Sequence, residues 1–515
     1  MQWSDYAVMV LYLVFVVGLG VLFSRREKDT DEYLLGGRRM PWWVIGVSYM
    51  ISLLSTISLV AVPGEAYNHG LTRSLMSAMS PFAAVASFYL FVRFYFRVKM
   101  FTPFTYLEQR FDRRVRLLGS LLFWWTRLAY LALVLYSCSK VFEGAAGWPV
   151  WFTICLVGLV GVVYTTLGGM KAVVWTDFTQ FVVLAVGLFV IAVKCAASVD
   201  GGASGIVSYA FSHDRGFQGV HEPGFFSFDP HFRITLWVLL FGIIHEHLFY
   251  NSSDQISIQR LLSTSSYDQA KKSLYTFVVI GVPFSFVLWF LGMAIFTYYG
   301  QHPEPDIGAR DGDLALFRFI GTQLPSPLPG LMISAMLAAV MSTLDSGMNS
   351  LATVATKDIY IVFFRREATE RQQVLFSRVM TVLVGTFAVG TALVIAGVAE
   401  SIKETIIESG TVWMSLTVVL APIFLIGVTT RKVRGNHIIV ACLAAWVVTA
   451  VMVTWYLRSK GTDREVSFMF VSLPGFATML VLGYLATLLP TKPDPEKTDG
   501  LTLWTLNAGH TAKQE

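Results

Sequence analysis

Apolar stretches of about 20 residues recur along nearly the whole chain, each long enough to cross a ~30 Å hydrocarbon layer as an α-helix. Between them lie short charged loops. Charged residues make up only 14% of the 515 residues and hydrophobic ones 55%, whereas an ordinary soluble domain is roughly a quarter charged. The fold class that follows is an all-α membrane protein in one integral domain over residues 1–490, with no series of soluble domains.

The pattern predicts helices near residues 5–24, 41–66, 73–97, 117–143, 149–167, 173–198 and 234–254. Six more are expected near 274–299, 328–358, 375–399, 405–429, 436–457 and 467–489, about thirteen transmembrane helices in all. The first, Tyr6 to Phe23, is too long for a signal-peptide core and lacks a basic flank before it and a small-residue cleavage site after it, so it reads as a retained helix. Cys138, Cys155, Cys195 and Cys442 fall in or beside apolar segments without paired spacing, which indicates neither a disulfide framework nor a zinc site.

The net charge of +5 resolves into topology once it is assigned to loops. Basic residues gather on one side, at Arg25, Arg26, Lys28, Arg38, Arg39, then Lys99 to Arg116, Lys271 and Lys272, Arg365 to Arg371, and Arg431 to Arg434. The alternate loops 200–233 and 300–325 are long and poor in Lys and Arg. The positive-inside rule then puts the N-terminus outside and the C-terminus in the cytoplasm of a multi-pass plasma-membrane protein. Residues 491–515, polar and carrying Pro493 and Pro495, are expected to form a disordered cytoplasmic tail too short for a catalytic or signalling module.

Polar groups inside a membrane are costly, so those that persist point to function. Three clusters stand out. In Ala338 to Ser350, positions 339, 342, 343, 346 and 350 share a helical face, offering the hydroxyls of Ser342 and Thr343 beside the carboxylate of Asp345. These are hard oxygen ligands suited to an alkali cation, though small and hydroxyl residues also let membrane helices pack closely. In Ile51 to Ser58, competing hydroxyls ahead of Pro63-Gly64 favour a discontinuous helix whose unwound turn frees carbonyls for a cation. In Tyr164 to Gln180, Gly168-Gly169 permits a tight turn, and Asp177 sits where it needs a counter-charge.

At these clusters the chain resembles the sodium/solute symporter family, which includes sodium-coupled transporters of glucose, proline, pantothenate, iodide, monocarboxylates and sialic acid. The resemblance runs through Asp31 to Arg39 with Pro41-Trp42-Trp43, through Gly168-Gly169 with Trp175-Thr176-Asp177 and Gln180, and through Asp254 to Arg260. It implies a LeuT-type fold of two inverted five-helix repeats, at residues 41–198 and 234–429, with an extra N-terminal helix at 5–24 and two C-terminal helices at 436–489.

By the same resemblance, the main sodium site would use the carbonyls of Ile51, Leu54 and Ala339 with the hydroxyls of Ser342 and Thr343. A second sodium site would fall on Asp177, Ser342, Asp345 and Ser346, with Asp345 standing where relatives carry a hydroxyl. The solute would be met by Leu53, Ser55, Ser58, Ser77 and Arg127, the last matching a carboxylate-binding arginine of sialic acid transporters. Pairing of Arg127 with Glu65 or Glu143 is the competing reading. The run His245-Glu246-His247 lacks the spacing of a metalloprotease, and His245 and Glu246 are taken as candidate pocket residues.

The function expected is that of a sodium:solute symporter importing a small carboxylated solute, such as a sugar acid or monocarboxylate. A symporter of neutral sugars or polyols and a proton-coupled permease are the alternatives. Sodium is the coupling ion, and no other cofactor, nucleic acid or obligatory protein partner is expected. No nucleophile or metal constellation suits an enzyme.

Overall fold

The computed structural model describes residues 2–24, 29–54, 56–98, 100–308, 311–399, 415–462 and 464–506, and among these it contains helices and turns without a strand. By length and composition, eight of the described helices can cross a membrane, or nine if one bent pair counts as a single span. This test does not reach the thirteen expected. Two expected helices run together, those at Trp3–Ser24 and Leu236–Ser252 offer short apolar windows, and part of the one at 405–429 lies outside the described residues.

The chain opens with α1 (Trp3–Ser24), then α2 (Trp42–Leu53), α3 (Thr56–His69), α4 (Ser74–Arg97) and α5 (Arg113–Ala146). The segment 41–66, expected to form a discontinuous helix, is broken between α2 and α3, whose arms, Trp42–Leu53 and Ser58–His69, diverge by 61°. Local chemistry accounts for the break. Ser52 turns its hydroxyl back onto the Tyr49 carbonyl at 2.9 Å, and Leu54 leaves the helix in an extended conformation while its N–H closes on Ile51 O at 3.0 Å.

Next comes α6 (Val150–Ala197), in which two expected helices meet with a single non-helical residue, Gly169, at φ 49° and ψ −162°. The turn predicted over Tyr164 to Ala172 is thus one residue wide. That conformation is open essentially to glycine alone.

A second discontinuity separates α7 (Leu236–Ser252) from α8 (Gln255–Leu262), at Ser253 and Asp254. The residues from Asn251 to Gln255 are fully buried there, so irregular backbone is covered by protein, as it must be at membrane depth. Each expected half therefore opens with a broken helix, although sequence reading anticipated only the first break.

Beside shorter connecting helices, there follow α9 (Tyr267–Gln301), α10 (Leu328–Val354), α11 (Glu370–Ala399), α12 (Leu420–Thr429), α13 (Gly435–Ser459) and α14 (Leu473–Leu485). Helix α10 is the hub. Every residue from Met332 to Val354 is buried, the signature of a helix surrounded by other helices, with α6 as its most extensive neighbour. Close approach elsewhere uses glycine: a Cβ on Gly292 of α9 would collide with Pro63 O of α3.

The tail departs from expectation. Residues 491–506 are folded and dock on the short helix Phe104–Arg110 and the end of α12, through Tyr106 Oη to Leu501 O at 2.8 Å and Leu503 N to Val428 O at 2.8 Å. Burial of Leu501, Thr498, Thr502 and Thr505 and several backbone hydrogen bonds overcome the polar composition of this segment. Residues 507–515 lie outside the described residues.

Candidate functional site

At the α2–α3 break the Leu54 carbonyl turns towards α10. The Thr343 hydroxyl donates to Leu54 O at 3.3 Å and to Ala339 O at 3.0 Å, which brings three expected main-site oxygens together. Ser342, one residue away, donates to Asp177 Oδ1 at 2.5 Å. The Ile51 carbonyl, in the last turn before the break, accepts from Leu54 N. Of the expected main-site residues, Leu54, Ala339 and Thr343 are thus directly bonded between the broken helix and α10.

Behind them lies a fully buried polar cluster. Arg260 of α8 donates to Asp177 Oδ2 at 2.7 Å, to Ser48 Oγ at 2.8 Å, to Ile256 O at 3.0 Å, and also to Ser346. Asp345 accepts from Tyr164 Oη at 2.8 Å and from Ser346 Oγ at 3.1 Å. The second-site residues expected from sequence, Asp177, Ser342, Asp345 and Ser346, are therefore neighbours, but a guanidinium sits among them. Arg260 was recognised only as part of a motif, and nothing in the linear spacing signals that α8 delivers it to Asp177. One guanidinium faces two carboxylates, so with both ionised the cluster carries a formal charge of −1 in a buried setting. Such a charge has to be answered by a cation or a proton.

A cavity of about 370 Å³ lies beside the break, lined by α2, α3, α4, α7 and α9. Its size is that of a small-molecule site. Of the expected solute residues, Leu53, Ser58, Ser77 and Glu246 line it. Ser55 lies outside the described residues.

Two expected solute residues are corrected. Arg127 does not line the cavity: its guanidinium pairs with Asp254 at 2.7 Å, and both are buried. The competing pairings fail as well, since Glu65 takes Arg233 through both oxygens, at 2.9 and 2.7 Å, and Glu143 takes Lys140. His245 turns away from the cavity, stacked on Phe241 and edge-on to Phe476. Its place is taken by His247, two residues on, whose Nε2 shares a hydrogen bond with Ser80 Oγ at 2.6 Å. A helical spacing of 100° per residue separates these histidines, and which one faced inward depended on the orientation of α7. Arg73, Glu65 and Tyr250 also line the cavity and were not anticipated there.

Comparison with known proteins agrees with this architecture. The model of the sodium:solute symporter family matches residues 33–444. The chain belongs to that family, and it is a sodium:solute symporter of the LeuT-type fold rather than an enzyme. Among curated relatives, a sodium/sialic acid symporter of Aliivibrio fischeri is 27% identical over 490 residues, covering 93% of this chain and 92% of that protein. The human sodium-coupled monocarboxylate transporter 1 is 28% identical over 403 residues, covering 75% of this chain and 63% of that one. Among solved structures, the outward-open, substrate-bound state of a sodium-coupled sialic acid symporter superposes with a TM-score of 0.85 at 24% identity, over 96% of this chain and 99% of that one.

Proposed function

We propose that the chain imports a small carboxylated solute, a sugar acid or monocarboxylate, across the plasma membrane by alternating access, with sodium held between the α2–α3 break and α10. The observation that carries the ion site is the meeting of Thr343 with the carbonyls of Leu54 and Ala339. Oxygens that share one hydrogen bond across two helices are the ones a hard cation would bridge, with Ile51 O and the Ser342 hydroxyl completing the set. Because its ligands come from two separate elements, a bound sodium would stabilise one arrangement of α2–α3 against α10. It would favour the outward-open state that receives the solute. One charge moving through 100 mV supplies roughly 2.3 kcal/mol, nearly fiftyfold accumulation per coupled charge.

A second monovalent cation at Asp177, Ser342, Asp345 and Ser346 is the companion reading, supported by the two carboxylates facing the single Arg260 guanidinium. The acidic nature of the solute is supported by two curated relatives that are sodium/sialic acid symporters, at 27% identity each. The basic loops support an outside N-terminus and a cytoplasmic C-terminus.

Uptake into proteoliposomes tests the reading. Solute accumulation should require an inward sodium gradient, and Ser342→Ala with Thr343→Ala should raise the sodium concentration for half-maximal uptake at least tenfold. Uptake driven by a proton gradient without sodium, or unchanged sodium dependence in the double variant, would count against it.

A further inference from the structure

A carboxylated solute needs a cation in the cavity, and Arg127 does not supply one. We propose that Arg73 holds the solute carboxylate, while the end of the same cavity formed by Glu246 and His247 engages hydroxyl donors, which makes the solute a carboxylated polyol of the sugar-acid class. The inference rests on the carboxylated-solute reading and narrows it.

Three other guanidiniums are already committed: Arg127 to Asp254, Arg233 to Glu65, and Arg260 to Asp177. Arg73 is the one arginine that lines the cavity among the described residues, and its side chain makes no ion pair or hydrogen bond to any of them. It is half-buried, within electrostatic reach of Glu65 and Glu246. Both oxygens of Glu65 are taken by Arg233, so that carboxylate is a poor competitor for the Arg73 fork. A guanidinium held at the wall of a partly desolvated cavity, with its donors unspent, is suited to a bidentate carboxylate.

The opposite end has the complementary chemistry. Glu246 accepts one hydrogen bond, from Tyr250 Oη at 3.0 Å, and keeps acceptor capacity for a ligand. His247 lines this end with its Nε2 engaged by Ser80. The two ends are separated by the geometry of α4. Arg73 continues the α4 spiral at φ −70° and ψ −20°. Arg73, Ser77 and Ser80 follow at i, i+4 and i+7, all lining the cavity. Seven residues of helix put Arg73 about 10 Å along the axis from Ser80 and its His247 partner. A short-chain alkyl acid gripped by Arg73 would leave most of the 370 Å³ unfilled and Glu246 without a donor. A hydroxylated acid satisfies both ends.

Thermal-shift titration of the purified full-length protein in detergent with sodium chloride tests this, using N-acetylneuraminate, D-glucuronate, lactate and D-glucose as probes. The shift produced by sodium alone reports that each variant is folded. At least one sugar acid should stabilise the wild type at lower concentration than lactate or glucose. Arg73→Gln should raise its half-saturating concentration more than tenfold, Arg73→Lys by less, and Glu246→Gln should weaken the sugar acid while affecting lactate little. If Arg73→Gln proves unfolded, the Lys variant carries the test, and full affinity in it for acids and glucose alike would overturn the anchor. Sugar-acid binding unaffected by Arg73→Gln overturns the role of Arg73 and leaves the carboxylated-solute reading standing. Lactate binding as tightly as the sugar acids overturns the polyol class. Stabilisation by glucose alone, or by none of the acids, overturns the carboxylated-solute reading and this inference with it.

Discussion

Arg127 illustrates how a single partner changes what a side chain is for. Its guanidinium and the Asp254 carboxylate are both buried, at the break between α7 and α8, where they hold irregular backbone in place. Removing one member leaves a buried charge unanswered, which costs about 3–5 kcal/mol. Arg127→Gln should therefore lower the thermal midpoint equally with and without solute, and pairing it with Asp254→Asn should recover much of the loss. A variant that is stable but selectively deaf to carboxylated solutes would return Arg127 to the solute site. The residue type was legible in the sequence as an anomaly at membrane depth. Its partner was not, because Asp254 is 127 positions away and only the tertiary fold brings the two together.

The breaks in α2–α3, α6 and α7–α8 do the work that straight helices cannot. Each frees backbone or side-chain oxygens at a buried position, and each has a different local cause. Hydroxyls competing for the backbone were readable in Ile51 to Ser58, and the glycine pair was readable in Gly168-Gly169. The α7–α8 break carries no proline or glycine among Asn251 to Gln255, and the helix expected from sequence ends at 254 without a second arm after it. Tertiary partners open it instead: Tyr95 Oη bonds Ser252 O at 2.5 Å, and Arg127 claims Asp254. Gly169→Ala would force a Cβ into the φ 49°, ψ −162° region, at a cost of order 1–3 kcal/mol. The expected result is a lower unfolding midpoint of the purified protein in detergent, with Gly168→Ala milder because only Gly169 leaves the helical region. Equal effects of the two would show that packing rather than backbone conformation dominates.

Across the whole molecule, the docked segment 491–506 ties together elements far apart in the chain. Trp504 Nε1 donates to Thr429 O at 2.5 Å, Lys497 Nζ to Glu108 O at 3.3 Å, and Arg110 caps the end of α12 through the carbonyls of Gly427 and Thr430 at 2.9 and 2.6 Å. Deletion after Thr491 removes the bonds of Trp504 and Lys497 together with Tyr106 Oη to Leu501 O and Leu503 N to Val428 O, at about 1 kcal/mol each. It should lower the thermal midpoint measurably while leaving the sodium-induced shift intact. An unchanged midpoint would mean that the segment is passive.

The linear pattern of apolar runs and interrupting polar groups was enough to determine a helical membrane protein and to mark its buried polar clusters, while the motif resemblance pointed to its family and to the expected main-site residues. It could do so because solvation acts on each residue locally: lipid rejects charge and unpaired backbone whatever the neighbours, so every exception is visible in one dimension. Which polar groups satisfy one another was decided only by tertiary structure. Arg260 on Asp177, Arg127 on Asp254, Arg233 on Glu65, and Arg73 left facing the cavity are outcomes of how helices are rotated and packed. Pairing energy depends on distance and burial, and the order of residues along the chain records neither.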